Sequence, residues 1–173
     1  MNLQEAIVVA LDFEKKVRDH YLRGAEDIAD PKGRRVFATL AKEEQRHVDY
    51  LDRCLAEWRK NGKVPDLPLK SVLPDGVKWI EEEKKKLAAL AARKGERAAT
   101  ETELTALKTA VRYERESDTF YRELVSELPR GDQRLFDKFL RIEDGHLALV
   151  QAQLDAVQGR GFWFDISEFI QDG

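Results

Sequence analysis

The sequence predicts an all-α protein, a four-helix bundle built from two antiparallel helical hairpins that a long crossover joins. Three observations predict it. Four long segments repeat apolar residues at alternating spacings of three and four, the stripe that a helix turns toward a packed partner. Chain breakers separate those segments, closely at two places and widely at the middle one. The composition, 42% hydrophobic and 36% charged with only 10 Gly and 5 Pro, suits long amphipathic helices and not a turn-rich sheet protein. A chain of 173 residues has room for one sizeable core.

The first helix is expected from about Leu3 to Ile28, stopping at Asp30-Pro31-Lys32-Gly33. The second follows at once and fades near Asn61-Gly62. Pro65, Pro68 and Pro74 then forbid continuous helix through residues 63–76. A shorter charged helix is expected over Val77 to Arg93, ending near Gly95. The third long helix runs from about Glu101 to Leu128 and stops at Pro129-Arg130-Gly131, and the fourth spans about Asp132 to Gln158. Short loops within each pair make each an antiparallel hairpin. Residues 1–160 are read as one four-helix domain with its connector at 61–100, and residues 161–173 as a C-terminal tail.

The two hairpins read as copies of one another. Phe13-Glu14 recurs as Tyr113-Glu114 and Tyr21 as Tyr121, a hundred positions on. After the loops the displacement becomes ninety-nine: Arg35-Val36-Phe37 recurs as Arg134-Leu135-Phe136, Glu44 as Glu143, His47 as His146 and Leu55 as Leu154. Matching polar residues carry this inference, since any two amphipathic helices share hydrophobicity.

The predicted inward stripes are Leu3, Ile7, Ala10, Glu14, Val17, Tyr21, Gly24, Ile28; then Phe37, Leu40, Glu44, His47, Leu51, Cys54, Trp58. In the second hairpin they are Leu107, Ala110, Glu114, Ser117, Tyr121, Leu124, Leu128; then Phe136, Phe139, Glu143, His146, Val150, Gln153, Val157. Near its middle each stripe carries a Glu, or a Glu and a His one turn apart. An ionised carboxylate buried alone costs several kcal/mol even after relaxation, and four facing one another add repulsion. Two divalent cations would remove the problem, four positive charges meeting four negative ones. Carboxylates with two imidazoles suit iron or manganese, and zinc also fits.

One Glu from each of two helices with Glu-x-x-His from each of the others is the ligand pattern of ferritin-like dimetal proteins. In Glu14, Glu44-Gln45-Arg46-His47, Glu114 and Glu143-Asp144-Gly145-His146 the chain resembles that superfamily, and within it the rubrerythrin group. The resemblance covers nearly the whole chain except the connector and tail. It implies a ferritin-like bundle holding two iron ions, with Glu44 and Glu143 bridging both. Glu14 and His47 would complete one metal, Glu114 and His146 the other. Tyr21 and Tyr121 resemble tyrosines that hydrogen-bond ligand carboxylates. The implied chemistry is reaction of Fe(II) with dioxygen or peroxide, as a ferroxidase or a peroxide reductase. Classical rubrerythrins add a rubredoxin domain with four Cys ligands; a lone Cys54 cannot supply these, so the electron donor is expected to be a separate molecule. Their further Glu one turn after the third-helix Glu is here Ser117, leaving a symmetric site more like bacterioferritin's ferroxidase centre. Met1 is the only Met, so the haem ligand of bacterioferritin is absent too.

Other features carry plainer expectations. His20 lies off the Glu14–Tyr21 stripe and is assigned to the surface, Asp118 to an ordinary surface pair, and Cys54 to the core. The Glu81-Glu82-Glu83-Lys84-Lys85-Lys86 run supports an exposed helix. A net charge of −3 gives no reason to expect nucleic acid, and no apolar run approaches the ~20 residues that span a bilayer. The start lacks a signal-peptide pattern, so a cytoplasmic location is expected. The aromatic tail Gly161-Phe162-Trp163-Phe164-Asp165-Ile166-Ser167-Glu168-Phe169-Ile170 either folds back on its own bundle or docks on another subunit of a homodimer or larger homo-oligomer. Alternative functions are a metal-binding protein without turnover and an assembly module.

Overall fold

A computed structural model describes residues 1–73, 78–89 and 97–167. Five helices follow one another: α1 (Leu3–Asp27), α2 (Pro31–Asn61), α3 (Lys78–Ala89), α4 (Glu101–Glu127) and α5 (Arg130–Arg160). The four long ones form two hairpins, α1 with α2 and α4 with α5, and α1 also runs against α4. The short α3 lies in the connection between hairpins and touches α5. No described helix is long and apolar enough to cross a membrane.

Local chemistry sets the ends. Asn2 and Glu5 form a reciprocal capping box on α1, and Thr100 and Glu103 form another on α4. Asp30 accepts the first free amides of α2, those of Lys32 (2.8 Å) and Gly33 (3.3 Å). Pro31 therefore sits inside α2 at its first position, where a missing N–H costs nothing and the fixed φ is already helical. For the same reason α5 starts at Arg130, two residues earlier than the sequence suggests, with Pro129 at its cap. It also runs two residues further, to Arg160. Gly62 (φ 65°) and Gly161 (φ 83°) end α2 and α5 in the left-handed region that favours glycine. The expected connector helix appears as α3; its expected continuation past Ala89 lies outside the described residues.

The stripes face inward as expected, except that Trp58 is half-buried, with its indole N–H donating to Gln4 (3.2 Å). Their apolar residues form two clusters. Ile7, Ala10, Leu51, Tyr121, Phe136 and Phe139 belong to one, and Val17, Tyr21, Phe37, Leu40, Leu107 and Val150 to the other. Along each long helix the change from one cluster to the other falls at the buried Glu, so the polar residues occupy the seam.

The described part of the tail folds back on its own bundle. Trp163, Phe164 and Ile166 are buried in the second cluster. The buried Gln153 side chain grips the Phe164 backbone twice, donating to its carbonyl (3.0 Å) and accepting from its amide (3.2 Å). Arg35 holds Asp165 at 2.8 Å. Gly33 lies so close to Trp163 that a Cβ would stand 2.5 Å from the ring, which explains a glycine in the first turn of a helix. Residues 168–173 of the tail lie outside the described residues.

Candidate metal centre

Glu14 on α1, Glu44 and His47 on α2, Glu114 on α4, and Glu143 and His146 on α5 are each at most 1% exposed. Mid-helix positions on four antiparallel helices bring them to one level of the bundle. They form two overlapping groups, Glu14, Glu44, His47 and Glu143, and Glu44, Glu114, Glu143 and His146. In each group four ligand atoms lie within 4.8 Å of one another and could hold a metal ion. Glu44 and Glu143 belong to both.

Both imidazoles turn Nδ1 into the cluster. His47 Nδ1 is 3.0 Å from Glu14 Oε2, 3.0 Å from Glu44 Oε2 and 3.1 Å from Glu143 Oε1. His146 Nδ1 is 3.0 Å from Glu44 Oε1. The rings lie nearly parallel, centroids 5.5 Å apart, and Phe139 packs edge-on against His47 at 5.0 Å. Each tyrosine reaches across to the other hairpin: Tyr21 donates to Glu114 Oε1 and Tyr121 to Glu14 Oε1. Ser117 donates to Glu143 Oε2 at 3.0 Å. These three hydroxyls each fix one oxygen of a carboxylate and leave the other toward the centre. Both Glu44 oxygens, Glu114 Oε2 and Glu143 Oε1 are buried without a hydrogen-bond partner.

Such an arrangement is electrostatically uneasy by itself. Burial, with repulsion from Glu143 and Glu44, raises the Glu14 and Glu114 carboxyls well above their ordinary range. Burial opposes charge on His47 and His146, but Glu44 and its neighbours outweigh it and raise both imidazoles. Burial would likewise raise Glu44, yet the two histidines hold it low. Tyr21 and Tyr121 are raised by burial and then by the carboxylates they touch, so they remain hydrogen-bond donors. Protons thus do within the cluster what cations would do better, because a cation satisfies several lone pairs at once.

Two residues read differently in the structure than in the sequence. His20 is not on the surface: it is partly buried, its Nε2 is 3.2 Å from the Ala106 carbonyl, and Tyr113 packs edge-on against it at 5.2 Å. Burial lowers its pKa. Its counterpart in the second hairpin is Phe120, which stacks on Phe13 at 5.4 Å, so the repeat uses this position to join α1 to α4. Sequence reasoning also missed Glu43. Its side chain is buried, accepting from Arg46 (2.7 Å), the Val72 amide (3.1 Å) and the Ser71 hydroxyl. Burial would raise this carboxyl, but His146 and those hydrogen bonds hold it at about 2. Asp118 pairs with Arg122 at 2.8 Å, as expected of a surface ion pair, and Cys54 is buried in the core.

No protein-family model, curated protein or solved structure matches this chain.

Proposed function

We propose that this chain is a non-haem dimetal protein that binds two divalent cations, iron foremost with manganese or zinc as competitors, and reacts Fe(II) with dioxygen or peroxide. The observation that carries the reading is the sharing of Glu44 and Glu143 between two buried groups in which both Glu44 oxygens, Glu114 Oε2 and Glu143 Oε1 lack hydrogen bonds. Buried polar atoms are normally satisfied, so orphaned oxygens gathered at one point call for a ligand. The donor set of four carboxylates and two imidazoles balances two divalent charges and suits borderline and hard metals.

In this reading Glu44 and Glu143 would serve both metal positions, Glu14 and His47 would complete one, and Glu114 and His146 would complete the other. Tyr21, Tyr121 and Ser117 orient Glu114, Glu14 and Glu143 by holding their second oxygens. Protons held by the cluster leave as cations enter, because the ligands act deprotonated. Iron held there would supply redox chemistry, up to one electron per ion, toward an oxidant. Reduction back would need a donor outside these 173 residues, since Cys54 alone builds no cysteine-ligated electron-transfer site.

The test starts with metal content after purification without added metal, then anaerobic Fe(II) loading and exposure to peroxide or dioxygen. The parent should take up iron and consume oxidant above the iron-only background. The His47→Gln/His146→Gln double variant should keep its helical circular dichroism and lose most of that excess. A double variant as fast as the parent would defeat the enzyme reading. Metal uptake without oxidant consumption would leave a binding protein.

A further inference from the structure

The two halves of the site share their six candidate ligands and two tyrosines but differ at buried positions beside them: Ser117 corresponds to Val17, and Glu43 has no carboxylate counterpart. Glu43 precedes Glu44, and at the displacement of ninety-nine that relates Glu44 to Glu143 its counterpart is Ile142. The difference falls behind the histidines. His146 Nε2, the nitrogen turned away from the cluster, faces Glu43 Oε2 at 3.8 Å. Neither Nε2 has a hydrogen-bond partner in this structure, but the corresponding nitrogen of His47 has no described carboxylate behind it, whereas Glu43 stands behind that of His146. A ligating imidazole binds better when its far N–H has a carboxylate behind it, which fixes the tautomer and raises the basicity of the near nitrogen; losing such a partner typically weakens binding about 10–100-fold.

Glu43 is also well placed to stay put. Arg46, on the next turn of α2, pairs with Oε1 at 2.7 Å, and the Val72 amide donates to the same oxygen. The Ser71 hydroxyl donates to Oε2, the oxygen that faces His146. Ser71 and Val72 belong to the crossover, so the chain between the hairpins anchors the carboxylate behind one histidine only.

We propose that Glu43 is a positioning residue that makes the two metal positions unequal, so that the Glu114–His146 side fills first and the Glu14–His47 side second. This rests on the dimetal reading above and adds an order of filling to it. Glu43 touches no metal in this scheme and acts through the His146 ring.

Anaerobic Co(II) titration, followed by calorimetry and by visible absorbance, reads both positions without turnover. The parent should bind in two steps whose affinities differ about 10-fold or more. His47→Gln should keep the tight step and His146→Gln should remove it. Glu43→Gln, which keeps the side chain's size and an acceptor oxygen, should weaken the tight step about 10–100-fold. It should do so in the His47→Gln background and have no further effect in the His146→Gln background. A merely structural role would lower affinity equally in both backgrounds and overturn the proposal. Should Glu43→Gln fail to fold, the two single-histidine variants still decide, since a tight step surviving in His146→Gln contradicts the order. Two equal steps in the parent would sink the ordering alone, whereas no Co(II) binding would sink the dimetal reading with it.

Discussion

Replacing Gln153 by Met removes an amide from the core while keeping its volume, so it isolates the polar hold on the tail. The Phe164 amide and carbonyl would both lose their partner at a residue that is 2% exposed. Each orphaned buried group costs about 1–3 kcal/mol, so the pair sets a scale of about 2–6 kcal/mol. Release of the segment offers an escape, since water can then reach Phe164. It exposes Trp163, Phe164 and Ile166, whose burial stabilises by about 1.5–3 kcal/mol each, offset in part by regained chain entropy of about 1–2 kcal/mol per residue. The smaller of the two costs prevails, and a loss of about 2–4 kcal/mol is expected. Urea unfolding measures it from the midpoint at constant m-value. Hydrogen exchange at the Phe164 amide should accelerate whichever route is taken. A loss below about 1 kcal/mol with unchanged exchange would refute the docking of the tail through Gln153.

Gly33→Ala should destabilise by about 1–3 kcal/mol because its Cβ would meet the packed Trp163 ring. Gly145→Ala, also inside a helix but with open space around it, should stabilise by roughly 0.5–1 kcal/mol, and thermal melts compare the signs directly. Glu103 is buried at the head of α4 and accepts from Ala29, Asp30, Arg97 and Thr100, which together outweigh burial and lower its carboxyl. A lowered folded pKa gives stability that is full above the unfolded value of about 4.3 and lost as pH falls through the folded one. Melting temperatures of the parent and Glu103→Gln should therefore differ at pH 6 to 7 and converge as pH drops below about 4. Tyr21→Phe and Tyr121→Phe each leave a ligand-candidate oxygen without its donor and should weaken Co(II) binding about 10–100-fold while helical circular dichroism stays unchanged.

Much of the fold was legible because each long helix advertises its inward face. Apolar residues three and four apart have one physical explanation, and an interrupting Glu or His on such a stripe is costly enough to stand out. Helix ends were less legible: Pro31 and Pro129 read as breakers, yet a proline at the first turn or the cap of a helix starts it. Gln153 sat on its stripe without an explanation until the tail supplied Phe164 as its partner. Glu43 lay off the stripe and looked like any surface charge; the signal that could have marked it was its apolar counterpart Ile142 in the repeat. His20 could have been placed the same way, since its repeat counterpart Phe120 is apolar and argues for packing. The family resemblance supplied roles for the six buried residues that periodicity alone would not have assigned.

The apo protein should remain helical, because two apolar clusters flank the polar seam, and it should melt lower than the metal-loaded form, since metal binds only the folded state. The most direct test of the central claim is therefore stoichiometry: iron per chain by elemental analysis after anaerobic Fe(II) loading and removal of excess. The account predicts two per parent chain, loss of the pair in Glu44→Ala and in Glu143→Ala, and retention of one metal in Glu14→Ala. One metal or none in the parent, or two in all three variants, would contradict it.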